Sequence, residues 1–104
     1  MLMSEIKMHH EIDGVVRLIA DWRSMAIVHA VYEHGLLRYT DLAEMLRFSP
    51  TILSKKLSQL SKACIIVRRK EPGVKEVTYS AEPIAGKMVQ AYHLLEEVDM
   101  FLAD

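Results

Sequence analysis

Hydroxyl and lysine side chains recur at helical spacing after Ser49. At intervals of three and four residues they share one face of a helix, opposite an apolar face made by Leu53, Leu57 and Leu60. Hydroxyl and ammonium groups donate hydrogen bonds to phosphate oxygens and reach the edges of bases. The polar face therefore predicts contact with a polyanion, although an ordinary amphipathic helix also has a polar outer face. It consists of Thr51, Ser54, Lys55, Ser58 and Lys62, with Lys56 and Gln59 beside it.

Basic residues are concentrated in the same part of the chain. The net charge of the 104 residues is −1, but residues 55–75 hold seven basic residues and only one acidic residue. Residues 1–54 hold five basic and seven acidic residues, and residues 76–104 hold one basic and six acidic. The cluster is either a set of solvated surface charges or a contact surface for a polyanion, and its place in the fold decides between them. Its members are Lys55, Lys56, Lys62, Arg68, Arg69, Lys70 and Lys75.

Two helices are predicted ahead of this region. An apolar stripe at helical spacing predicts the first, and a second apolar segment over 25–32 predicts the next. Gly35 follows it, and glycine readily takes the left-handed conformation that terminates helices. Trp22, at the junction, is expected to be a core anchor. The stripe of the first helix consists of Ile12, Val15, Val16 and Ile19.

A helix-turn-helix is predicted at about 38–63. Thr40 is expected to cap a short helix that ends near Phe48, with Asp41 favoured in its first turn. Ser49 is then expected to cap the next helix with its hydroxyl group. Pro50 is expected in the first turn of that helix, where a backbone N–H would have no partner within the helix. Cys64 continues the row of inward leucines and is expected to be buried.

The periodicity changes from helix to strand after residue 63. Residues 65–67 are apolar, Val77 and Tyr79 alternate with polar neighbours, and residues 71–74 have turn chemistry. These signals predict a two-stranded hairpin, or wing, at about 65–80. From Pro83 the helical period returns and predicts a last helix at about 83–103. Its apolar residues have coiled-coil spacing and favour a homodimer: Ile84, Met88, Ala91, Leu95, Val98 and Leu102.

Several segments are similar to one family of regulators. They are Leu18–Trp22, Arg38–Leu42, Ser49–Ser54, Val77–Ser80 and Glu82–Lys87, together with Leu57, Leu60 and Val67. In these segments the chain resembles the HxlR-type transcriptional regulators, which belong with the MarR-like winged helix proteins.

This resemblance implies a homodimer formed by the first and last helices, which adds Ile12 and Val16 to its interface. It also implies a recognition helix at Ser49–Lys62, a wing at Arg68–Lys75 and a palindromic DNA operator. Relatives usually have a glycine where this chain has Ala63–Cys64, and many have a reactive cysteine near the N-terminus, where this chain has His9 and His10.

The sequence thus predicts a mainly α protein with a small β-hairpin, one winged helix-turn-helix domain over 1–104 that regulates transcription by binding double-stranded DNA. A winged helix that binds other proteins and not DNA is the alternative, because the flanks are acidic, the Ala63–Cys64 corner departs from the family and the wing tip carries two acids. No catalytic, metal or cofactor motif is recognised, and no membrane segment is found, so we expect a cytoplasmic protein that is not an enzyme. The expected DNA contacts are Ser49, Thr51, Ser54, Lys55, Lys56, Ser58, Lys62, Arg68, Arg69, Lys70 and Lys75.

Overall fold

The computed structural model describes residues 13–103, which form helices around a small antiparallel sheet. The mainly helical class predicted from the sequence is confirmed. The elements in chain order are α1 (Asp13–Ala20), α2 (Trp22–His34), β1 (Leu36–Arg38), α3 (Tyr39–Leu46), α4 (Pro50–Lys62), β2 (Ile66–Arg69), β3 (Thr78–Ala81) and α5 (Ile84–Ala103).

The sheet has three strands where the sequence predicted two. Its order is β1-β3-β2, with both pairings antiparallel, so that β3 is central. Tyr79 lies opposite Leu37 on one side and Arg68 on the other. The prediction missed β1 because a strand of three residues is too short to show a period of two, and because it follows directly on the glycine that ends α2.

Helix α2 runs through the centre of the core. Ile27, Val28 and Val31 have no exposed surface, and α2 packs against the other helices and the sheet. The predicted inward face of α4 is confirmed, since Leu53 and Leu60 are fully buried and Leu57 is 2% exposed. Burial of this apolar face sets which side of α4 points to solvent.

Side chains fix the ends of these helices. Asp21 caps α2 by accepting hydrogen bonds from the amides of Arg23 and Ser24, and Gly35 ends it with a φ of 80°. The predicted start of α3 at Thr40 is wrong. The helix begins at Tyr39, because the carboxylate of Asp41 accepts a hydrogen bond from the backbone N–H of Arg38 at 2.9 Å. It ends at Leu46, two residues before Phe48.

Two predicted core residues are exposed. Trp22 is 54% exposed, and its ring meets the edge of Phe48 with 5.6 Å between the ring centroids. Cys64 is exposed, because its left-handed backbone (φ 60°) directs the side chain away from the buried row of leucines on α4. This left-handed residue lies at the corner between α4 and β2, where relatives in the resembled family usually have glycine. Cys64 makes this turn with a left-handed backbone, which glycine adopts more readily than other residues.

Candidate nucleic-acid interface

The start of α4 is built as the sequence predicts. Ser49 has extended backbone angles, and its Oγ accepts a hydrogen bond from the N–H of Ile52 at 3.2 Å. Pro50 occupies the first turn, where a missing amide leaves no carbonyl unpaired. Three residues, 47–49, separate α4 from α3. The two helices thus form the predicted helix-turn-helix.

The polar face of α4 points to solvent. Five of its predicted members are exposed, on the side of the helix opposite the buried leucines: Thr51, Ser54, Lys55, Ser58 and Lys62. Ser54 Oγ lies 3.3 Å from the hydroxyl oxygen of Tyr39, so the first residue of α3 touches this face. Hydroxyls and ammonium groups thus share one accessible surface.

Lys56 is the exception among the predicted contacts of α4. Its Nζ forms a salt bridge with Asp21, and its side chain is only 21% exposed. Burial by itself raises the pKa of Asp21, but hydrogen bonds from Lys56 and from the amide of Ser24, together with the charge of Lys56, lower that pKa below its ordinary value. Lys56 therefore joins the middle of α4 to the start of α2 and is not part of the outer face.

The basic residues of the hairpin lie next to this face. Arg68 and Arg69 end β2, and Lys70 and Lys75 flank the following turn, with all four side chains exposed. Gly73 has a φ of 82° in this turn, and the N–H of Val74 donates to the carbonyl of Glu71 at 3.1 Å. Among residues 13–103, no carboxylate lies within 4.0 Å of the charged groups of these four residues or of Lys55 and Lys62.

One of the acids near the wing tip is paired. Arg38 contacts Glu76 through Nη1 at 3.1 Å and Asp41 through Nη2 at 2.9 Å. The hydrogen bond from Arg38 lowers the pKa of Asp41, and the two carboxylates raise the pKa of Arg38. The spacing of Arg38 and Asp41 was visible in the sequence. Glu76 was not predictable as a partner, because it is 38 residues from Arg38 and only the sheet brings them together.

A groove of about 410 Å³ lies between α4 and the sheet. Hydroxyl groups and the two cations Lys62 and Arg68 line it, with one aliphatic side chain and the ring of Tyr79 beside them. The complete lining is Tyr39, Ser54, Ser58, Ser61, Lys62, Arg68, Val77 and Tyr79. Within the described part of the chain, the buried hydroxyl of Ser61 has no hydrogen-bond partner.

The predicted dimer residues are divided between surface and core. Val16, Ile84, Leu95, Val98 and Leu102 are 48–74% exposed. Met88 is only 5% exposed and packs in the core of the single chain, so it offers little surface to a second copy. Ala91 is partly buried, and Ile12 lies outside the described residues. Further apolar side chains of α5 are exposed at Leu94, Met100 and Phe101.

Residues 13–103 contain neither a cluster of metal-binding side chains nor a helix suited to crossing a membrane. Side chains of His, Cys, Asp and Glu do not gather there in groups of three or more able to hold a metal ion. No helix in that range has the length and apolar composition needed to cross a bilayer.

Comparison with known proteins gives solved structures only, since no family model and no curated protein matches the chain. Reduced HlyU from Vibrio cholerae superposes with a TM-score of 0.71 at 22% identity, over 88% of this chain and 95% of HlyU. The chain has a winged helix fold. A MarR mutant from E. coli, complexed with operator DNA, has a TM-score of 0.66 at 15% identity, over 96% of this chain and 76% of MarR. A MepR mutant from a multidrug resistant S. aureus clinical isolate gives a TM-score of 0.65 at 17% identity, over 98% of this chain and 81% of MepR. In this winged helix, α3 and α4 are the helix-turn-helix, and β2, β3 and their turn are the wing.

Proposed function

We propose that the chain acts as one winged helix domain that binds double-stranded DNA as a homodimer and regulates transcription. One observation carries the proposal: the exposed hydroxyls and lysines of α4 adjoin the exposed cations of the wing. Together they form one exposed surface of hydroxyl groups and cations that phosphates can approach. MarR, which is similar in fold, has been solved with operator DNA, and this supports the same role here.

In this proposal α4 enters the major groove and the wing contacts the flanking backbone. The short hydroxyl side chains allow close approach of the helix, and the lysines reach phosphates or base edges. Lys56 is left out of the predicted set because Asp21 already neutralises it. The proposed contacts are Ser49, Thr51, Ser54, Lys55, Ser58 and Lys62 of α4 and its cap, with Arg68, Arg69, Lys70 and Lys75 of the wing.

The proposed homodimer uses the exposed apolar surface of α1 and α5. The apolar side chains of α5, a helix of 20 residues, face water over its second half. An extended exposed apolar surface of this kind is typical of a protein–protein contact, and a second copy would cover it. A two-fold dimer presents two α4 helices, so we expect a palindromic operator with half-sites about one helical turn, or about 10 base pairs, apart. We further propose that the chain is an HxlR-type regulator, and the resemblance of segments Ser49–Ser54 and Val77–Ser80 to that family supports this.

The test is a salt titration of duplex binding by fluorescence anisotropy. We expect the affinity for a mixed-sequence duplex to fall steeply with salt, and Lys55→Ala and Arg69→Ala each to lower the slope by about one. Lys87→Ala, which removes an exposed cation on α5, is the matched control and should leave the slope unchanged. Absent or salt-insensitive binding to every duplex would overturn the proposal and favour a module that binds other proteins.

A further inference from the structure

The groove between α4 and the sheet has the chemistry of an anion site. Lys62 enters its lining from α4 and Arg68 from β2, and Ser54, Ser58 and Tyr39 add hydroxyl groups. No carboxylate lines it. A charged donor in a partly enclosed site binds an anionic oxygen more strongly than it does at an open surface, because less water competes for it. The lining therefore selects an anion over a neutral or cationic ligand.

The apolar part of the groove narrows the class of anion. Val77 and the buried ring of Tyr79 belong to the same lining as the cations. A free inorganic phosphate has no apolar surface to place against these side chains, whereas a sugar-phosphate has both an anionic end and an apolar edge. The volume of about 410 Å³ also exceeds what a single small ion fills.

The position of the groove favours a polymer over a small sugar-phosphate. It opens between α4 and the wing, and the exposed Lys55 and Arg69 lie on the elements that form its two walls. A duplex with α4 in its major groove passes its backbone between helix and wing. We propose that this groove seats one backbone phosphodiester and its deoxyribose, with Lys62 and Arg68 on the same phosphate. The inference rests on the proposed DNA binding and specifies one contact within it.

A shared phosphate has a quantitative signature in the salt dependence. Each phosphate contact contributes about 0.9 to the slope of log affinity against log salt on duplex DNA. The double variant Lys62→Gln/Arg68→Gln should therefore lower the slope by about 0.9, whereas two separate phosphate contacts would lower it by about 1.8. Arg17→Gln/Lys87→Gln removes two exposed cations from α1 and α5 and should leave the slope unchanged. Unchanged thermal unfolding would establish that both double variants fold.

A variant that fills the groove without removing a cation tests whether the shape of the groove, and not only its charge, matters for DNA binding. Ser58→Leu keeps every cation but places a larger side chain in the lining, and we expect about tenfold weaker duplex binding, the loss of roughly one charge-assisted hydrogen bond. Thr51→Leu adds the same side chain at another proposed DNA contact of α4, which is exposed but does not line the groove, and should have a clearly smaller effect.

The results distinguish this inference from the proposed function. Suppose that the unaltered protein binds duplexes with a steep salt slope. If the slope of the Lys62→Gln/Arg68→Gln variant is unchanged or lower by about 1.8, the two cations do not share a phosphate, but the proposed DNA binding stands. Equal losses for Ser58→Leu and Thr51→Leu would also contradict a specific groove. If the unaltered protein binds no duplex, both the proposed function and the groove contact are wrong.

Discussion

At the scale of single residues, the backbone of Cys64 illustrates what the sequence leaves open. The leucine spacing of α4 extends to Cys64 and predicts burial, but the helix ends at Lys62 and the chain must turn sharply into β2. The turn requires a left-handed residue, so the thiol points outward. Helical periodicity predicts which side chains are buried only within the helix itself. Trp22 stands at the first position of α2, where that pattern begins, and its predicted burial was wrong for the same reason.

Replacement of Cys64 by glycine should stabilise the protein. A left-handed conformation costs a non-glycine residue about 1–2 kcal/mol, which exceeds the roughly 0.4–1 kcal/mol by which the greater freedom of glycine favours the unfolded chain. We expect Cys64→Gly to raise the free energy of unfolding in urea by about 0.5–1 kcal/mol. Cys64→Ala, whose Cβ has the same conflict, should change it little. Destabilisation by glycine would show that the thiol contributes more than the backbone strain costs.

The buried hydroxyl of Ser61 should also be dispensable for stability. A buried polar group without a hydrogen-bond partner costs about 1–3 kcal/mol, so Ser61→Ala is expected to raise the free energy of unfolding by about 1 kcal/mol. Ser58→Ala, at an exposed position of the same helix, measures the gain that alanine gives through helix propensity alone, about 0.5 kcal/mol or less. If Ser61→Ala gains no more than Ser58→Ala, the hydroxyl has a partner that the structure does not describe.

At the scale of elements, local signals predicted the helices well and the sheet only in part. The cap at Ser49, the stop at Gly35 and the bounds of α5 follow from residues close in sequence. Strand β1 and the pairing of Arg38 with Glu76 depend on contacts between distant segments, which no short pattern encodes. The same holds for Lys56: its spacing on α4 suggested a DNA contact, but the tertiary structure places it against Asp21.

The salt bridge between Asp21 and Lys56 should make stability depend on pH. The pKa of the Asp21 carboxyl is lowered in the folded state, so its charge stabilises the fold at pH values above 3.8, the ordinary pKa of the group. This contribution is lost as the pH falls through 3.8 towards the lower pKa of the folded state. Asp21→Asn retains a capping side chain and removes the charge. We expect it to cost about 1–2 kcal/mol at pH 7 and progressively less below pH 4, measured by urea unfolding at each pH.

The control for this prediction is an exposed pair on α1. Asp13 and Arg17 are 2.9 Å apart, with side chains 55% and 80% exposed. Because solvent screens such a pair, Asp13→Asn should change the free energy of unfolding by less than about 0.5 kcal/mol at pH 7. Equal costs for the two substitutions would mean that the Asp21–Lys56 contact does not hold α4 against α2.

At the scale of the whole molecule, charge and apolar surface are separated. The exposed cations of α4 and the wing form one region, and the exposed apolar side chains of α1 and α5 form another. The sequence predicted both regions from clustering and coiled-coil spacing. It could not show which residues of the apolar stripe pack into the core of the single chain, as Met88 does.

Substitution in the apolar region should separate dimerisation from folding. Leu95 is 53% exposed, so Leu95→Glu should leave the fold intact and place a charge in the proposed interface. We expect sedimentation velocity to show a shift from dimer to monomer, with weaker duplex binding as a consequence of losing the second α4. Gln90→Glu, on an exposed position of the same helix, should remain dimeric. A monomeric unaltered protein would contradict the proposed dimer.

The most direct test of the central proposal is selection of bound duplexes from a random pool by the purified protein. The proposal predicts enrichment of a palindromic sequence whose half-sites are about 10 base pairs apart, as expected for two α4 helices related by a two-fold axis. Lys55→Ala should weaken binding to the enriched duplex. Recovery of the input pool without enrichment would contradict sequence-specific recognition by this winged helix.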